Sequence, residues 1–377
     1  MRIGIDATAL PSQPVGAGNY IIHFTRALAG QAADQPDVEL FILAQAGRLP
    51  LLGVAPSERV HLVALPDRSA PRRLAWEQLG LPALARRLGL DLLHSLHYTL
   101  PVLAPCPVVV TFHDMTFFLF PHLHTLPKRI FFQNMIRFSA RRAAALLAVS
   151  ESTRQDSIRL LGLAPERITT TPLGATEGFV PVRDPARLEA VRQKYRLPER
   201  FVLNVGLLEP RKNLPALLRA FRRISAQFPH HRLTLVGRQG WMYEQVFQLV
   251  ESLGLKEQVC FTGYVEGADL PAIYSLADVF VYPSLYEGFG LPVLEAMACG
   301  APVITSRVSS LPEIAGEAGV LVDPQDEDAL AGALERLLSD PAERARRGAL
   351  GIERARAFTW ERTARLTWPV YRAVVAI

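Results

Sequence analysis

Short apolar runs recur along the chain and alternate with longer stretches whose apolar residues fall three and four apart, the patterning of buried parallel strands and amphipathic helices. Arg2–Ala7, Val38–Leu43 and Val60–Ala64 read as strands, with helices over Asn19–Leu28 and Leu74–Leu88, the latter spaced by Trp76, Leu79, Leu84 and Leu88. Two more strands finish in the segments Asp91-Leu-Leu-His94-Ser95-Leu-His97-Tyr98 and Val108-Val-Val-Thr-Phe-His113-Asp114. Strand Leu146–Val149, a capped helix over Thr153–Leu161 and strand Ile168–Pro172 complete the first half. Ala175–Pro185 has no apolar period and reads as a linker. Beyond a short helix at Leu188–Tyr195 the alternation restarts, with strands at Phe201–Val205, Leu233–Val236, Val259–Thr262, Val279–Tyr282, Val303–Ile304 and Val320–Val322. Helices are expected between them at Leu214–Phe228, Tyr243–Leu253 and Leu270–Ser275, then at Ala329–Leu338 and Pro341–Phe358, and the end of the chain is amphipathic and interrupted by Pro369. Such alternation predicts an α/β protein with parallel sheets, whose ligands bind beyond the carboxyl ends of the strands. At 377 residues the chain suits two domains, placed at 1–178 and 179–358.

The stretch richest in instructions is Tyr282–Thr305. Gly288 and Gly290 flank Phe289 in a tight turn, Pro292 suits the first position of a helix, and Gly300 suits its left-handed end. A helix start at Leu291 behind a glycine turn offers free N–H groups and the positive end of a dipole, a ready anion site. Two acids, Glu287 and Glu295, sit in this stretch. Glu295 has an ordinary reading as an acid favourable to the helix dipole; Glu287 does not, and a carboxylate is a strong acceptor for sugar or ribose hydroxyls. Gly16-Ala17-Gly18-Asn19 forms a second glycine turn before a helix, short of a full dinucleotide fingerprint. Arg211 and Lys212 lie side by side after a strand that closes on Gly206, either as a solvated turn or as partners for a diphosphate. Phe117–Phe138 interleaves phenylalanines with Lys128, Arg129 and Arg137, which fits a membrane interface, an acceptor surface, or a buried helix with a flap.

Composition narrows the class. Hydrophobic residues make up 49% and charged residues 20%, an ordinary globular balance. The formal charge of +5 suits an anionic substrate or membrane surface, and no dense basic run or motif points to nucleic acid. Cys106, Cys260 and Cys299 are far apart in apolar sequence, the pattern of reduced, buried thiols in a cytosolic protein, and no metal-binding spacing occurs. The opening Met1-Arg-Ile-Gly-Ile-Asp6 is already a strand, which leaves no signal peptide, and no apolar run is long enough to span a bilayer. The expected location is the cytoplasm, with at most peripheral contact at the inner face of the membrane.

Glu287-Gly-Phe-Gly-Leu-Pro-Val-Leu-Glu295, followed by Ala-Met-Ala-Cys-Gly-Ala-Pro-Val-Ile, resembles the E-x7-E signature of retaining GT-B glycosyltransferases, the large family four that includes bacterial mannosyltransferases. The resemblance implies two Rossmann-like domains facing across a cleft, with a terminal helix over 359–377 packing back on the first domain. It places the acceptor on the N-terminal domain and the nucleotide sugar on the C-terminal one. It implies that Arg211 and Lys212 neutralise the departing diphosphate and that Glu295 takes the donor ribose. Glu287 then takes the transferred sugar, and the turn Gly288, Phe289, Gly290 and Leu291 meets the bond that breaks. His113, in the run VVVTFHDMTFFLFP, resembles the histidine beside the donor sugar, with Asp114 holding it or the loop and His97 a weaker acceptor-side residue. Gly16 and Gly18 face the pyrophosphate, Gly206 and Gly237 close strands on the donor side, and Tyr264 and Val265 lie near the base. Some members have an arginine directly after the strand glycine; here it is Leu207, so the clamp has one cation fewer.

The function implied is a hexosyltransferase that moves a sugar from a nucleoside diphosphate donor to a saccharide or lipid-linked acceptor. GDP-mannose is the leading donor, on the segments Ser309-Ser310-Leu-Pro312-Glu313 and His113–Pro121, and a UDP-sugar is the alternative. No metal and no separate cofactor are expected. A nucleotide-sugar epimerase or phosphorylase of the same fold, or a non-catalytic nucleotide-sugar-binding subunit, are the competing readings. A pyridoxal phosphate phosphorylase needs a Schiff-base lysine, and none stands out.

Overall fold

The structure, a computed structural model, describes residues 1–240 and 243–376. The chain divides into one unit formed by Met1–Gly174 with a C-terminal segment from Thr359, and a second formed by Ala175–Phe358.

In the first unit seven strands form one sheet: β1 (Arg2–Asp6), β2 (Glu39–Gln45), β3 (Val60–Leu65), β4 (Leu92–Ser95), β5 (Val108–Phe112), β6 (Ala145–Ala148) and β7 (Ile168–Thr170). All neighbours are parallel, in the order β3-β2-β1-β4-β5-β6-β7. The strands are Val-, Ile- and Leu-rich because both faces are covered. On one face Leu93, Val110 and Phe112 pack against Leu81 and Leu84 of helix Ala70–Leu88 and Ile136 of helix Leu126–Arg142.

Helix Trp360–Val375 belongs to this unit and is bolted to the sheet through buried polar groups. Tyr371 Oη lies 2.5 Å from His94 Nδ1, and His94 Nε2 lies 2.8 Å from Thr111 Oγ1. Burial first, then the neighbouring His113, pushes His94 down to about 3, so the ring is neutral and carries one proton between two hydroxyl partners. Trp368 Nε1 donates to Gln31 Oε1 at 3.0 Å, and the helix continues through Pro369 because Trp368, Tyr371 and Val374 are all buried. Ile377, the expected end of this element, lies outside the described residues.

The second unit repeats the plan with β8 (Arg200–Val205), β9 (His231–Val236), β10 (Val259–Gly263), β11 (Val279–Tyr282), β12 (Val303–Ser306) and β13 (Val320–Val322). They are again parallel, in the order β10-β9-β8-β11-β12-β13. Placing β11 directly beside β8 decides the site, since it brings the ends of strands 77 residues apart to one edge (Val202 pairs Val279).

Several expectations need correction. The helix expected over Leu214–Phe228 ends at Ile224, where Ser225 Oγ turns back to the Arg222 carbonyl at 3.0 Å, the competition with the backbone that small polar residues offer. Leu79, placed on the buried face of its helix by spacing, is 79% exposed. Cys299 is buried, whereas Cys106 and Cys260 are half-buried. The aromatic stretch forms helices Thr116–Leu119 and Leu126–Arg142, in which Phe117 stacks on Phe132 at 4.5 Å while Leu126 and Ile130 stay exposed. Among the described residues no helix is long and apolar enough to cross a membrane.

Gly237 shows how tightly the strand ends pack. Its φ is +149°, and a Cβ there would lie 1.8 Å from the carbonyl oxygen of Gly206. Gly237→Ala should therefore lose on the order of 3 kcal/mol or more, from left-handed strain and backbone overlap together. Urea unfolding measures this, and a midpoint like the parent's would mean that the two loops are not in contact.

Candidate active site

The site of the second unit is built at the carboxyl ends of β8 and β11. After β8, Pro210–Lys212 forms a single tight turn, and Asn213 in the left-handed conformation (φ 55°) opens helix Leu214–Ile224. After β11 the chain runs through Ser284 to Glu287. The two loops are stitched together: Leu285 N and Ser284 Oγ both donate to the Arg211 carbonyl, at 2.9 and 3.0 Å.

Glu287, only 7% exposed, is the hub. Its Oε1 accepts from Lys212 Nζ at 2.7 Å, Tyr282 Oη at 2.9 Å and Ser284 Oγ at 2.7 Å, and its Oε2 accepts from Arg211 Nη1 at 2.5 Å. Arg211 also donates to the Tyr286 carbonyl and to Glu209 Oε1, both at 2.8 Å. Lys212 Nζ donates to Tyr282 Oη at 2.6 Å. Burial alone pushes the Glu287 carboxyl up, but the charges of Arg211 and Lys212 and the bonds from Lys212 and Ser284 more than offset it and hold it at about 2. Burial, then Arg211, pull Lys212 below its usual range against Glu287 and Glu209. The result is two cations and two carboxylates in near balance, the pairing that buried charges require.

The following turn is pinned by residues from beyond β12. Glu287 N donates to Ser309 Oγ at 2.9 Å, and Ser310 Oγ donates to the carbonyls of Glu287 and Phe289 at 2.9 and 2.5 Å. Gly290 (φ 115°) starts helix Leu291–Ala298, which has no side-chain cap; Pro292 takes its second position, not the first. A Cβ on Gly290 would come within 2.8 Å of Leu311 Cδ2, and Phe289 and Leu291 are buried. Glu295, a turn further on and 7% exposed, is set apart from the charge cluster. The Tyr274 hydroxyl donates to it at 3.2 Å, and burial raises its pKa to about 8.

The remaining residues expected on the donor side divide. Gly206 and Gly237 are in contact, as described above. Val265 is buried, whereas Tyr264 is 58% exposed with the Arg238 guanidinium 4.1 Å above its ring. In the first unit, Gly16 (φ 53°) starts helix Ala17–Gln31 without a side-chain cap, and Gly18 is confined by Pro11 and Pro14. His113 Nε2 lies 2.8 Å from the Leu96 carbonyl, an acceptor only, so Nε2 carries the proton and Nδ1 is the acceptor of the neutral ring. Burial lowers its pKa, against the Leu96 bond and Asp114. Asp114 holds the loop: its Oδ1 accepts from Thr116 N and Oγ1 at 2.9 and 2.7 Å. The His97 ring lies 5.6 Å from that of His113, tilted by 37°. Sequence reasoning missed Tyr282, Ser284 and Glu209 as partners of the cluster and Ser309 and Ser310 as its brace. Tyr282-Pro-Ser284, one strand end before Glu287, was the available signal.

Comparison with known proteins gives the family and the fold. The family described as Glycosyl transferases group 1 matches residues 189–354, and that described as Glycosyltransferase Family 4 matches residues 14–176. The chain is 39% identical over 266 residues to the O-antigen chain mannosyltransferase B of Escherichia coli, covering 70% of each chain. The chain belongs to the family 4 glycosyltransferases. It is also 34% identical over 282 residues to the serotype-specific mannosyltransferase WbdA of Escherichia coli, covering 72% of this chain and 34% of that longer protein. A GDP-mannose-dependent phosphatidylinositol monomannoside mannosyltransferase of Mycolicibacterium smegmatis is 36% identical over 47% of this chain and 48% of its own. Among solved structures, the sucrose-phosphate synthase of Thermosynechococcus elongatus superposes with a TM-score of 0.77 at 25% identity, over 100% of this chain and 99% of that one. The Anabaena protein HepE, solved with UDP-glucose, shares the fold at a TM-score of 0.77 and 18% identity, covering both chains fully at 100%.

The glycosyltransferase signature thus holds two acids with opposite tendencies, and Glu295 has a measurable consequence. Its folded pKa of about 8 lies above the ordinary 4.5, so folding must keep a proton that the unfolded chain releases. Stability should fall as pH rises from about 4.5 to about 8 and level off above. Glu295→Gln should raise the melting temperature at pH 8, by a stability gain on the order of 2 kcal/mol or more, and change it little at pH 4.5. Equal gains at both pH values would refute the neutral carboxyl.

Proposed function

We propose that this glycosyltransferase moves mannose from a nucleoside diphosphate donor, GDP-mannose first and a UDP-sugar second, to a hydroxyl of a saccharide or lipid-linked acceptor, with retention. Polysaccharide or glycolipid assembly is the setting. The observation that carries this reading is the Arg211–Lys212–Glu287 cluster beside an uncapped helix start. A glycosyl transfer from such a donor breaks a carbon–oxygen bond and leaves charge on a diphosphate, so the site must stabilise anionic oxygen in a dry environment. Lys212, two of whose three N–H groups are spent on Tyr282 and Glu287, is a compact charge for that oxygen, and Arg211 is a planar one. The amide end of helix Leu291–Ala298 adds its dipole. Glu295 takes the ribose hydroxyls and the Glu287 loop the sugar. The names of the relatives support mannose, and that of the mycobacterial relative supports GDP-mannose. Retention is supported by the family signature: attack on the face the diphosphate leaves requires no carboxylate nucleophile and lets a diphosphate oxygen take the acceptor's proton.

A panel of GDP-, UDP- and ADP-sugars, monitored for nucleotide release with and without saccharide acceptors, tests the donor. GDP-mannose should be turned over fastest, giving an α-linked product. Lys212→Ala should lower kcat by roughly 100-fold or more with an intact fold, the size expected for one preorganised donor to developing charge. Glu295→Ala should raise the donor KM instead. Parent-like nucleotide release from both variants would remove the cluster from the reaction.

A further inference from the structure

The first unit contains a second buried polar cluster that the reaction above leaves unused. Asp6 ends β1 and Ser95 ends β4, and the two are register partners in adjacent parallel strands, so their side chains share a face. It is the face on which Leu93 packs against helix Ala70–Leu88. From that helix Glu77, 1% exposed, comes close enough to Asp6, 5% exposed, for the Asp6 charge to add to burial in raising its carboxyl to about 6, and Ser95 is 2% exposed. One turn earlier, Arg73 Nη1 donates to Glu77 Oε2 at 2.9 Å, with 13% of its side chain exposed. Burial first, then the charges of His113 and Arg73, press the His97 ring down to about 3.

The bonding in this cluster is incomplete. A guanidinium carries five N–H donors, and among the described residues the side chain of Arg73 uses one on a hydrogen bond, to Glu77. Asp6 Oδ1 accepts from Thr8 N and Oγ1 at 3.0 and 2.6 Å, and Oδ2 accepts no hydrogen bond among the described residues. Ser95 Oγ is buried with no hydrogen-bond partner among the described residues. Unspent donors, an unspent carboxylate oxygen and an unspent hydroxyl are the complement of a pair of sugar hydroxyls, each of which gives one hydrogen bond and takes another. The charge count separates this from an anion site. Arg73 is paired with Glu77, and Asp6 is a second carboxyl close enough to act on Glu77, so the cluster offers no surplus positive charge for a phosphate, unlike a site meant for one.

We propose that Arg73, with Asp6 and Ser95 behind it, recognises the hydroxyls of a neutral sugar in the acceptor, and that Glu77 is a positioning residue that holds the Arg73 fork. The inference rests on the glycosyl-transfer reading above. It adds to that reading the acceptor's chemical class, a terminal sugar without a phosphate or carboxylate at this point, and the residues that select it.

The test uses the full chain with the donor found in the panel above. Acceptors are the methyl glycosides of mannose, glucose, galactose and N-acetylglucosamine, each beside its 6-phosphate. The parent should transfer to a neutral glycoside and prefer it to the phosphorylated partner. Arg73→Lys keeps the pairing with Glu77 but loses the fork, and should raise the acceptor KM on the order of tenfold or more. Donor KM and acceptor-free nucleotide release should stay at parent values. Ser95→Ala, a substitution of an unbonded hydroxyl that leaves the fold intact, should shift acceptor KM in the same direction. Glu77→Gln should do so as well, and Glu77→Asp should restore part of the loss, a rescue that a merely structural role would not give. The inference is overturned if Arg73→Lys and Ser95→Ala both leave acceptor KM unchanged, if donor KM moves equally, or if only phosphorylated acceptors are used. A parent that releases nucleotide from none of the donors overturns the glycosyl-transfer reading and this inference with it; an active parent with unaffected variants overturns this inference alone.

Discussion

A buried carboxylate keeps its charge only if cations are buried with it, and in this glycosyltransferase that requirement fixes the second unit's working edge. Glu287 takes four side-chain hydrogen bonds, from Arg211, Lys212, Tyr282 and Ser284. Loss of any one cation would leave an uncompensated buried charge, which typically costs 3–5 kcal/mol. The arrangement therefore constrains the backbone on both sides. The turn after β8 must present Arg211 and Lys212 at the height where the loop after β11 presents Glu287, and the register between those strands must not slip. Cations and carboxylates are nearly balanced, so the cluster offers N–H groups already aimed and desolvated rather than a surplus of charge.

The two acids of the E-x7-E stretch make the converse point. They are eight residues apart and equally buried at 7%, yet Glu287 is held at about 2 and Glu295 raised to about 8. Burial raises both carboxyls. What separates them is that Glu287 faces two cations, whereas the hydrogen-bonding partner of Glu295 is a neutral tyrosine, Tyr274. One stretch thereby supplies a fixed negative charge that organises cations and a neutral carboxyl that can both donate to and accept from hydroxyls. Neither the spacing nor the residue type distinguishes them.

Much of the fold is legible because both units are parallel sheets covered on two sides, so each strand announces itself as an apolar run and each helix as a period. The glycine turn, the helix start after Gly290 and the two acids were readable for the same local reasons. The partners of Glu287 were not, because Lys212 and Glu287 are 75 residues apart and meet only through strand order, which no local pattern encodes. Ser309 and Ser310 were invisible in the same way: they brace the turn across 22 and 23 residues from a loop after a different strand. Errors of another kind came from reading faces off spacing. Leu79 fits the helical period of its neighbours and still lies in solvent, since the period gives a face and not the width of what covers it.

The histidines of the first unit are polar groups held without charge. His94, His97 and His113 are all pressed below their ordinary range, by burial first in each case. His113 is fixed as the Nε2–H form by the Leu96 carbonyl, and His94 is held between Tyr371 and Thr111. A neutral, oriented imidazole can accept through one nitrogen and donate through the other, but it adds no positive charge at neutral pH. At neutral pH the three rings therefore bring donors and acceptors to the first unit without charge, which is the condition under which the proposed site of Arg73 with Asp6 and Ser95 can discriminate by hydroxyls rather than by charge.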